Sequence, residues 1–348
     1  MVQVRKSFPQ NGDGSLAVEQ WISKLNGFVS SDQQQRLATA IAIVEQAQAS
    51  DPDIDEKGIH SSGKIGCFTS GLEMARILSE LHLDEDAIIA ALIYRAVREK
   101  RLTDESIQST LGSTVAKLVA GVLKMAAISE LRNDKEPVLG QSQIQSEKIR
   151  RMLVAMVDDV RIGLIKLAER TQAIRAVKSQ PQGRQEKVAR EVFDIYAPLA
   201  HRLGIGQIKW ELEDLSFRYL EPEGYSHIAG LLDEKRLNRQ GYIENVVDKL
   251  KEQLARVEIE ANVDGRAKHI YSIWRKMQRK GVSFDQVYDI RALRVLVNDL
   301  PSCYAALGIV HTLWRNIPKE FDDYIANPKA NGYRSLHTAV IGPEGKII

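Results

Sequence analysis

Three polar stretches in the last third of the chain carry the residue types that handle phosphates and bases. The first is Gly265-Arg266-Ala267-Lys268-His269-Ile270-Tyr271-Ser272-Ile273-Trp274-Arg275-Lys276-Met277. It reads as a segment that follows a strand and opens a helix, and a helix start offers N–H groups to a phosphate. Arg266 and Lys268 lie at that start, while Ser272 and Lys276 are four apart and share a helix face. A basic, solvated helix end is the other reading of the same pattern. The second stretch is Asp289 and the β-rich run behind it, residues 290–297. A carboxylate beside a cationic phosphate site suits Mg²⁺, which takes one or two carboxylates in addition to phosphate oxygens; a turn or cap residue is the alternative. Arg294 lies five residues on, facing the other side if the strand is regular. The third is Asn327-Pro328-Lys329-Ala330-Asn331-Gly332-Tyr333-Arg334-Ser335-Leu336-His337-Thr338. Pro, Asn and Gly make it a loop. Tyr333 could stack on a base, with Lys329 and His337 on either side able to meet phosphates. By itself the loop is also compatible with a surface turn under an aromatic lid.

The elements that must position these groups change character along the chain. The first two thirds have helical spacing. Leu72, Ala75, Arg76 and Leu78 lead to the nearly all-apolar run 87–93, preceded by Asp84 and Asp86, where a helix N-terminus favours negative charge. Ile149, Met152, Leu153, Met156, Val160, Leu164 and Leu167 recur at three or four residues, which predicts one buried helix face. Gln180-Pro181-Gln182-Gly183 breaks the chain, and residues 188–203 resume a helix with a kink or restart at Pro198. From residue 257 the period shifts. Residues 257–263 alternate apolar and polar and predict a strand, 270–280 a helix, 292–297 a strand, 303–314 a helix and 335–341 a strand. Gly342-Pro343-Glu344-Gly345 then reads as a turn and Lys346-Ile347-Ile348 as the start of a return strand. Helices followed by a mixed sheet predict an α+β multidomain protein, with the halves meeting near residues 195–225.

Composition narrows the classes. The 348 residues are 44% hydrophobic and 27% charged, and 48 Lys plus Arg against 46 acidic residues leave a net charge of +2. That balance argues against general nucleic-acid binding, so any cationic site must be local. Cys67 and Cys303 form neither a disulfide framework nor a zinc pattern. No signal-like segment or membrane-length apolar run occurs, which predicts a soluble, cytoplasmic protein.

The words GRAKHIYSIWRKM, YDIRALRV, CYAALGIVHTLW and EFDDYIANPKANGYRSLHT, in that order and spacing over residues 265–346, resemble the synthetase domain of the RelA/SpoT family. KLAER and IYAPLAHRLGIGQIKWELED resemble its linking helices. The resemblance implies a nucleotidyltransferase-like mixed β-sheet with flanking helices that moves pyrophosphate from ATP to the 3′-hydroxyl of GTP or GDP, the alarmone synthesis of the stringent response. It further implies that Arg266 and Arg294 sandwich adenine and that Lys268, Ser272 and Lys276 hold the ATP phosphates. Asp289 would bind Mg²⁺, Tyr333 would stack on guanine, and Lys329, Asn331 and His337 would contact the acceptor nucleotide. Asp289, Arg266 and Lys268 are the residues expected to act in the transfer itself. In the family a Glu within a Glu-x-Gln-Ile-Arg-Thr word follows the turn. This sequence stops short of it and Glu344 lies too early, so weak or no turnover is expected of these residues alone, with non-catalytic nucleotide binding as the alternative. Ribosome and uncharged-tRNA sensing belong, by the same resemblance, to C-terminal domains outside this sequence.

The helical part resembles the family's HD-type hydrolase domain with its ligands replaced. Ser70, Tyr94, Arg95 and Glu169 stand where the resemblance expects His, His, Asp and Asp; Arg98 and Glu99 replace an acidic pair, and Ala173 an Asn. Serine, tyrosine and arginine are not an Mn²⁺ ligand set, and His60 and His82 lack ligand spacing. A degenerate, non-hydrolytic domain is therefore expected over residues 1–195, linking helices over 196–225 and the synthetase domain over 226–348. The acidic word Glu320-Phe321-Asp322-Asp323 resembles that of synthetase-only members, although any one of these carboxylates could equally sit in a solvated loop.

Overall fold

The structure, a computed structural model, describes residues 8–9, 11–12, 16–25, 30–52, 54, 65–130, 159–234, 236–266, 269–284, 292–330 and 332–348. Two compact units divide the chain, Arg5–Ala200 and His201–Ile348. The first is helical; the second combines helices with short antiparallel ribbons.

The first unit is built round the helix Glu85–Arg98. Asp84 starts it by accepting the Ala87 N–H at 2.9 Å, so a donor that the helix cannot satisfy itself meets a carboxylate at the positive end of the dipole. Every residue from Ala87 to Tyr94 is buried. A helix that is apolar all round must be enclosed, and helices Ser31–Ala49, Cys67–Glu80, Ser113–Glu130 and Val160–Ala176 pack about it. Each fully buried Ile or Leu in it contributes about 1.5–3 kcal/mol. The crossing with Cys67–Glu80 is close enough that a Cβ on Gly71 would overlap the Leu92 carbonyl.

The periodic run expected from residue 149 is described from Val160 onward. Asp159 caps that helix by accepting the Arg161 N–H at 2.9 Å. Val160, expected on the buried face, is 54% exposed because it occupies the first turn, before the helix enters the core. Further along, the buried face is partly polar: Lys166, Glu169 and Gln172 are buried with Ile165 and Leu167. The break expected over residues 180–183 is confined to residues 180–181, after Val177–Ser179, because the helix Gln182–Glu191 already includes Gln182 and Gly183 and starts six residues before the expected resumption at 188. That helix runs through a π-helical turn, Val192–Tyr196, into Ala197–Arg202. The wider turn lies just ahead of Pro198, whose ring and missing N–H disrupt α geometry.

In the second unit two apolar clusters hold the elements. Tyr242, Val246, Leu250 and Leu254, four residues apart on helix Arg236–Arg256, pack with Val263, Ala306, Trp314 and Val340. Phe217 and Ile228, from helices Gly206–Leu220 and Pro222–Glu234, pack with Ile270, Ile273 and Phe284. Strands β1 (Ala261–Arg266) and β2 (Ala292–Val297) pair antiparallel, as do β3 (Arg315–Asn316) with β6 (Val340–Ile341) and β4 (Asp322–Asp323) with β5 (Leu336–His337). Among the described residues these are three two-stranded ribbons rather than one continuous mixed sheet.

Two strand expectations are corrected. Residues 257–260 are not strand. The Leu254 carbonyl accepts the N–H groups of Val257 and Ile259, the Ala255 carbonyl accepts that of Glu258, and Glu258 adopts a φ of 58°. Those donors finish the preceding helix and are lost to a ladder. Residues 335–341 are two pieces, because the chain changes partner at Ala339, whose N–H donates to the Glu320 carbonyl and whose carbonyl accepts the Ile317 N–H. The expected return strand does pair: Val340 and Ile348 exchange hydrogen bonds of 3.1 and 2.9 Å across the 342–345 turn. No helix among the described residues is long and apolar enough to cross a membrane.

Gly71→Ala is expected to lower the unfolding free energy by about 1–3 kcal/mol, as overpacking against a fixed carbonyl does. A denaturant midpoint equal to that of the parent chain would show that the two helices can separate at the crossing without loss.

Candidate functional site

Three residues proposed from the third motif meet in one loop. The Tyr333 hydroxyl and His337 Nε2 lie 2.9 Å apart, and the Lys329 ammonium sits 5.4 Å from the Tyr333 ring centroid. Tyr324 completes the group. Its ring lies 4.0 Å from the Lys329 ammonium, 5.2 Å from the His337 ring and 6.2 Å from the Tyr333 ring, edge-on to both rings. Tyr333 remains 41% exposed, so an aromatic surface beside a cation faces solvent, an arrangement able to take a flat base with a negatively charged substituent. Gly332 turns the chain beneath it with a φ of 75°, and its N–H donates to the Lys329 carbonyl at 2.8 Å.

The acidic word holds this loop. Asp322 pairs with His337 and Asp323 with Leu336 in the β4–β5 ladder. The Asp323 carboxylate accepts the N–H groups of Ala326 and Ile325 at 2.8 and 2.9 Å and the Tyr304 hydroxyl at 3.1 Å. These donors, that of Ala326 foremost, hold its carboxyl below the usual range. At Tyr324 a hydrogen bond to Asp322 pushes the phenol up. The carboxylates that sequence alone could leave in solvent therefore build the turn under Tyr324. Tyr324 itself was missed; its place directly after the acidic pair was the available signal.

The first motif is arranged differently from expectation. Arg266 is the last residue of β1 and the helix opens at Ile270, so Arg266 is not at the helix start. The start itself is occupied. Asp214, buried on helix Gly206–Leu220, accepts the N–H groups of Tyr271 at 2.8 Å and Ile270 at 3.3 Å, and lies 3.2 Å from His269 Nδ1. The His269 ring stacks on Trp210, centroids 5.1 Å apart. A carboxylate already satisfies the donors that a phosphate would use, and Ser272 and Lys276 lie half-buried on one side of this helix. The opposite face buries Ile270 and Ile273, and Gly281 ends the helix in the left-handed region at φ 61°. Sequence reasoning missed Asp214; a single acidic residue in a helix rich in them gave little signal. In the β1–β2 ribbon Arg266 pairs with Ala292 and Asp264 with Arg294, which puts the two arginines at neighbouring register positions. Only the backbone place of Arg266 is described, and Lys268, Asp289 and Asn331 lie outside the described residues.

In the helical unit, Ser70, Arg95 and Glu169 line one cavity. The Gln172 side-chain amide donates to Ser70 Oγ at 3.4 Å. Tyr94 is fully buried, and burial, reinforced by Glu169, pushes its phenol up to about 12. The Glu169 carboxylate takes two hydrogen bonds from Arg170, at 2.6 and 2.7 Å, with the Lys166 ammonium at 3.0 Å and Arg98 at 3.7 Å. Burial alone would raise the carboxyl, yet Arg170 and Lys166 outweigh it and hold it well below the usual range. At Lys166 burial dominates and brings the ammonium down to about 8 against the pull of Glu169. Arg95 is engaged by Glu99 at 2.5 Å. The carboxylate at an expected ligand position is thus saturated by cations, and no cluster of three or more His, Cys, Asp or Glu side chains suited to a metal occurs among the described residues. His82 lies past the end of the Cys67–Glu80 helix with φ 56°, and His60 is outside the described residues.

Comparison with known proteins agrees with this layout. The family model described as HD domain matches residues 52–206, and the one described as the region found in RelA / SpoT proteins matches residues 265–348. A GTP pyrophosphokinase of Photobacterium angustum is 50% identical over 278 residues, 80% of this chain and 37% of that protein. A GTP pyrophosphokinase of Escherichia coli is 44% identical over 348 residues, 100% of this chain and 45% of that protein. A guanosine-3′,5′-bis(diphosphate) 3′-pyrophosphohydrolase of Aquifex aeolicus is 41% identical over 278 residues, 80% of this chain and 38% of that protein. The chain spans less than half the length of these relatives.

Asp214→Ala leaves the Ile270 and Tyr271 N–H groups without their acceptor and is expected to cost about 1–3 kcal/mol. Amide hydrogen exchange should quicken at residues 270–272 first; exchange unchanged there would mean that the carboxylate does not fasten the helix start.

Proposed function

The chain belongs to the RelA/SpoT family, and on that premise we propose that its second unit serves (p)ppGpp synthesis, the transfer of pyrophosphate from ATP to the 3′-hydroxyl of GTP or GDP. The observation that carries the reading is the convergence of Lys329, Tyr333 and His337 in one loop fastened to the acidic strand. In this reading guanine stacks on the exposed part of Tyr333, and Lys329 leaves the tyrosine rings to meet the acceptor's phosphates, with Asn331 and His337 beside them. Ser272 and Lys276, on one side of a helix whose start is fixed by Asp214, take the phosphates of ATP together with Lys268. Arg266 and Arg294, at neighbouring places on the β1–β2 ribbon, enclose the adenine.

The reaction asks for alignment and neutralisation more than for covalent help. The acceptor's 3′-hydroxyl attacks the β-phosphorus and AMP leaves, so the charge that moves lies on phosphoryl oxygens, and fixed cations lower its energy. The hard oxygen donor of Asp289 suits Mg²⁺, which relies on phosphate oxygens and water for most of its shell and needs no protein cage. When bound, it would neutralise the polyphosphate and polarise the transferred group. The helical unit is non-hydrolytic in this reading. Its one carboxylate at the expected ligand positions is fully engaged by arginine and lysine, and Arg95 puts a cation where a ligand is required.

The test is to incubate the chain with ATP, Mg²⁺ and GDP or GTP and to follow AMP, alongside binding of each nucleotide. Stacking on an aromatic side chain is worth about 1–3 kcal/mol per base, so Tyr333→Ala should weaken guanine-nucleotide binding roughly 5- to 150-fold and leave ATP binding as it was. Equal affinities for both nucleotides in parent and variant would remove the stacking role. Tight binding of both nucleotides with no AMP would favour a non-catalytic binding role.

A further inference from the structure

The β1–β2 ribbon has two faces of different character. Val263 is buried in the cluster built on Tyr242, Val246, Leu250 and Leu254, and Ala261, Leu293 and Val295 pack against the same cluster. Side chains alternate along a strand, so the residues between these point the other way: Asn262, Asp264, Arg294 and Leu296 are all exposed. Within that set Asp264 stands directly opposite Arg294 in the ladder. Arg266 follows two residues after Asp264 and pairs with Ala292, two residues before Arg294. One carboxylate thus has both arginines as register neighbours. Neither the Asp264 nor the Arg294 side chain has a hydrogen bond or ion pair with another of the described residues.

Directly opposed residues of an antiparallel pair have Cβ atoms about 4.5–5.5 Å apart, a span that a carboxylate and a guanidinium close without moving the backbone. In water the pair gains little, because solvent screens both charges and holding two side chains still costs entropy. A base laid on the guanidinium displaces that water, and the attraction grows as the local dielectric falls. The carboxylate then supplies what a second arginine cannot. A forked hydrogen bond fixes the plane of the guanidinium, which stacks only when it lies parallel to the ring. The negative charge also offsets the repulsion of two cations brought to one base. We infer that Asp264 is a positioning residue of the donor-base site: it aligns Arg294 for stacking and so favours a nucleotide over a bare polyphosphate. The inference rests on the reading of the β1–β2 ribbon as the clasp of the adenine.

The experiment is calorimetric titration of the chain with ATP in the presence of Mg²⁺, with tripolyphosphate as a competitor that displaces ATP, and with GDP as the control for the acceptor loop. On charge alone, removing a carboxylate near a polyanion tightens binding; alignment of the arginine predicts the opposite sign for ATP only. Asp264→Ala and Asp264→Asn, at an exposed position, should weaken ATP about ten-fold, as loss of one charge-assisted hydrogen bond does. Tripolyphosphate should bind them as well as the parent or better, GDP should be unaffected, and Asp264→Glu should keep most of the ATP affinity. Adding Asp264→Ala to Arg294→Ala should cost nothing more, because the carboxylate acts through the guanidinium. ATP affinity unchanged or raised in Asp264→Ala while Arg294→Ala weakens it would overturn the inference and leave the clasp standing. Equal losses for ATP and tripolyphosphate, or full additivity in the double variant, would also overturn it. Unchanged ATP affinity in Arg294→Ala would remove the clasp and the inference together.

Discussion

A carboxylate taken out of water must be met by donors or cations, and that requirement organises both units of this protein. In the second, Asp214 meets it with the first N–H groups of the helix Ile270–Lys280, and so ties helix Gly206–Leu220 to the element that carries Ser272 and Lys276. In the first, Glu169 meets it with Arg170 and Lys166. Each solution uses up a group that could otherwise have done chemistry. Asp214 closes a helix start to phosphate, and the cations on Glu169 close it to a metal.

The two consequences differ. Around Asp214 both carboxylate oxygens meet donors, with His269 stacked on Trp210 at the edge of the clamp. Around Glu169 the matching is lopsided. Arg95 and Arg98 stand where the resemblance implies acidic residues, and the cavity wall carries six cations against three glutamates. A buried ion pair is by itself weak stabilisation.

The Tyr333 loop obeys the same rule at the surface. Asp323 is half-buried, and its oxygens accept from two backbone N–H groups and a tyrosine, which fixes the turn below Tyr324. The β4–β5 ladder then sets His337 opposite Asp322. Lys329 lies against two tyrosine rings.

Much of this was legible in the sequence. The run 87–93 is apolar at every position and can only be an enclosed helix. The residue types of the Lys329–His337 loop fitted a surface turn by themselves, and only its resemblance to one family carried the expectation of nucleotide handling. Replacement of the expected metal ligands by Ser70, Tyr94 and Arg95 could be read directly. Local patterning failed where backbone donors had two possible partners: residues 257–260 alternate like a strand, but helix carbonyls claim their N–H groups. Side-chain identity and period-by-period patterning are local properties, so the chain alone settles the kind of element and the chemistry it carries. The capping of Ile270 and Tyr271 by Asp214, more than fifty residues earlier, and the gathering of Lys166 with Arg184 depend on which helices pack together. Only the tertiary structure decided them, because buried charge is balanced by proximity in space, which sequence spacing does not encode.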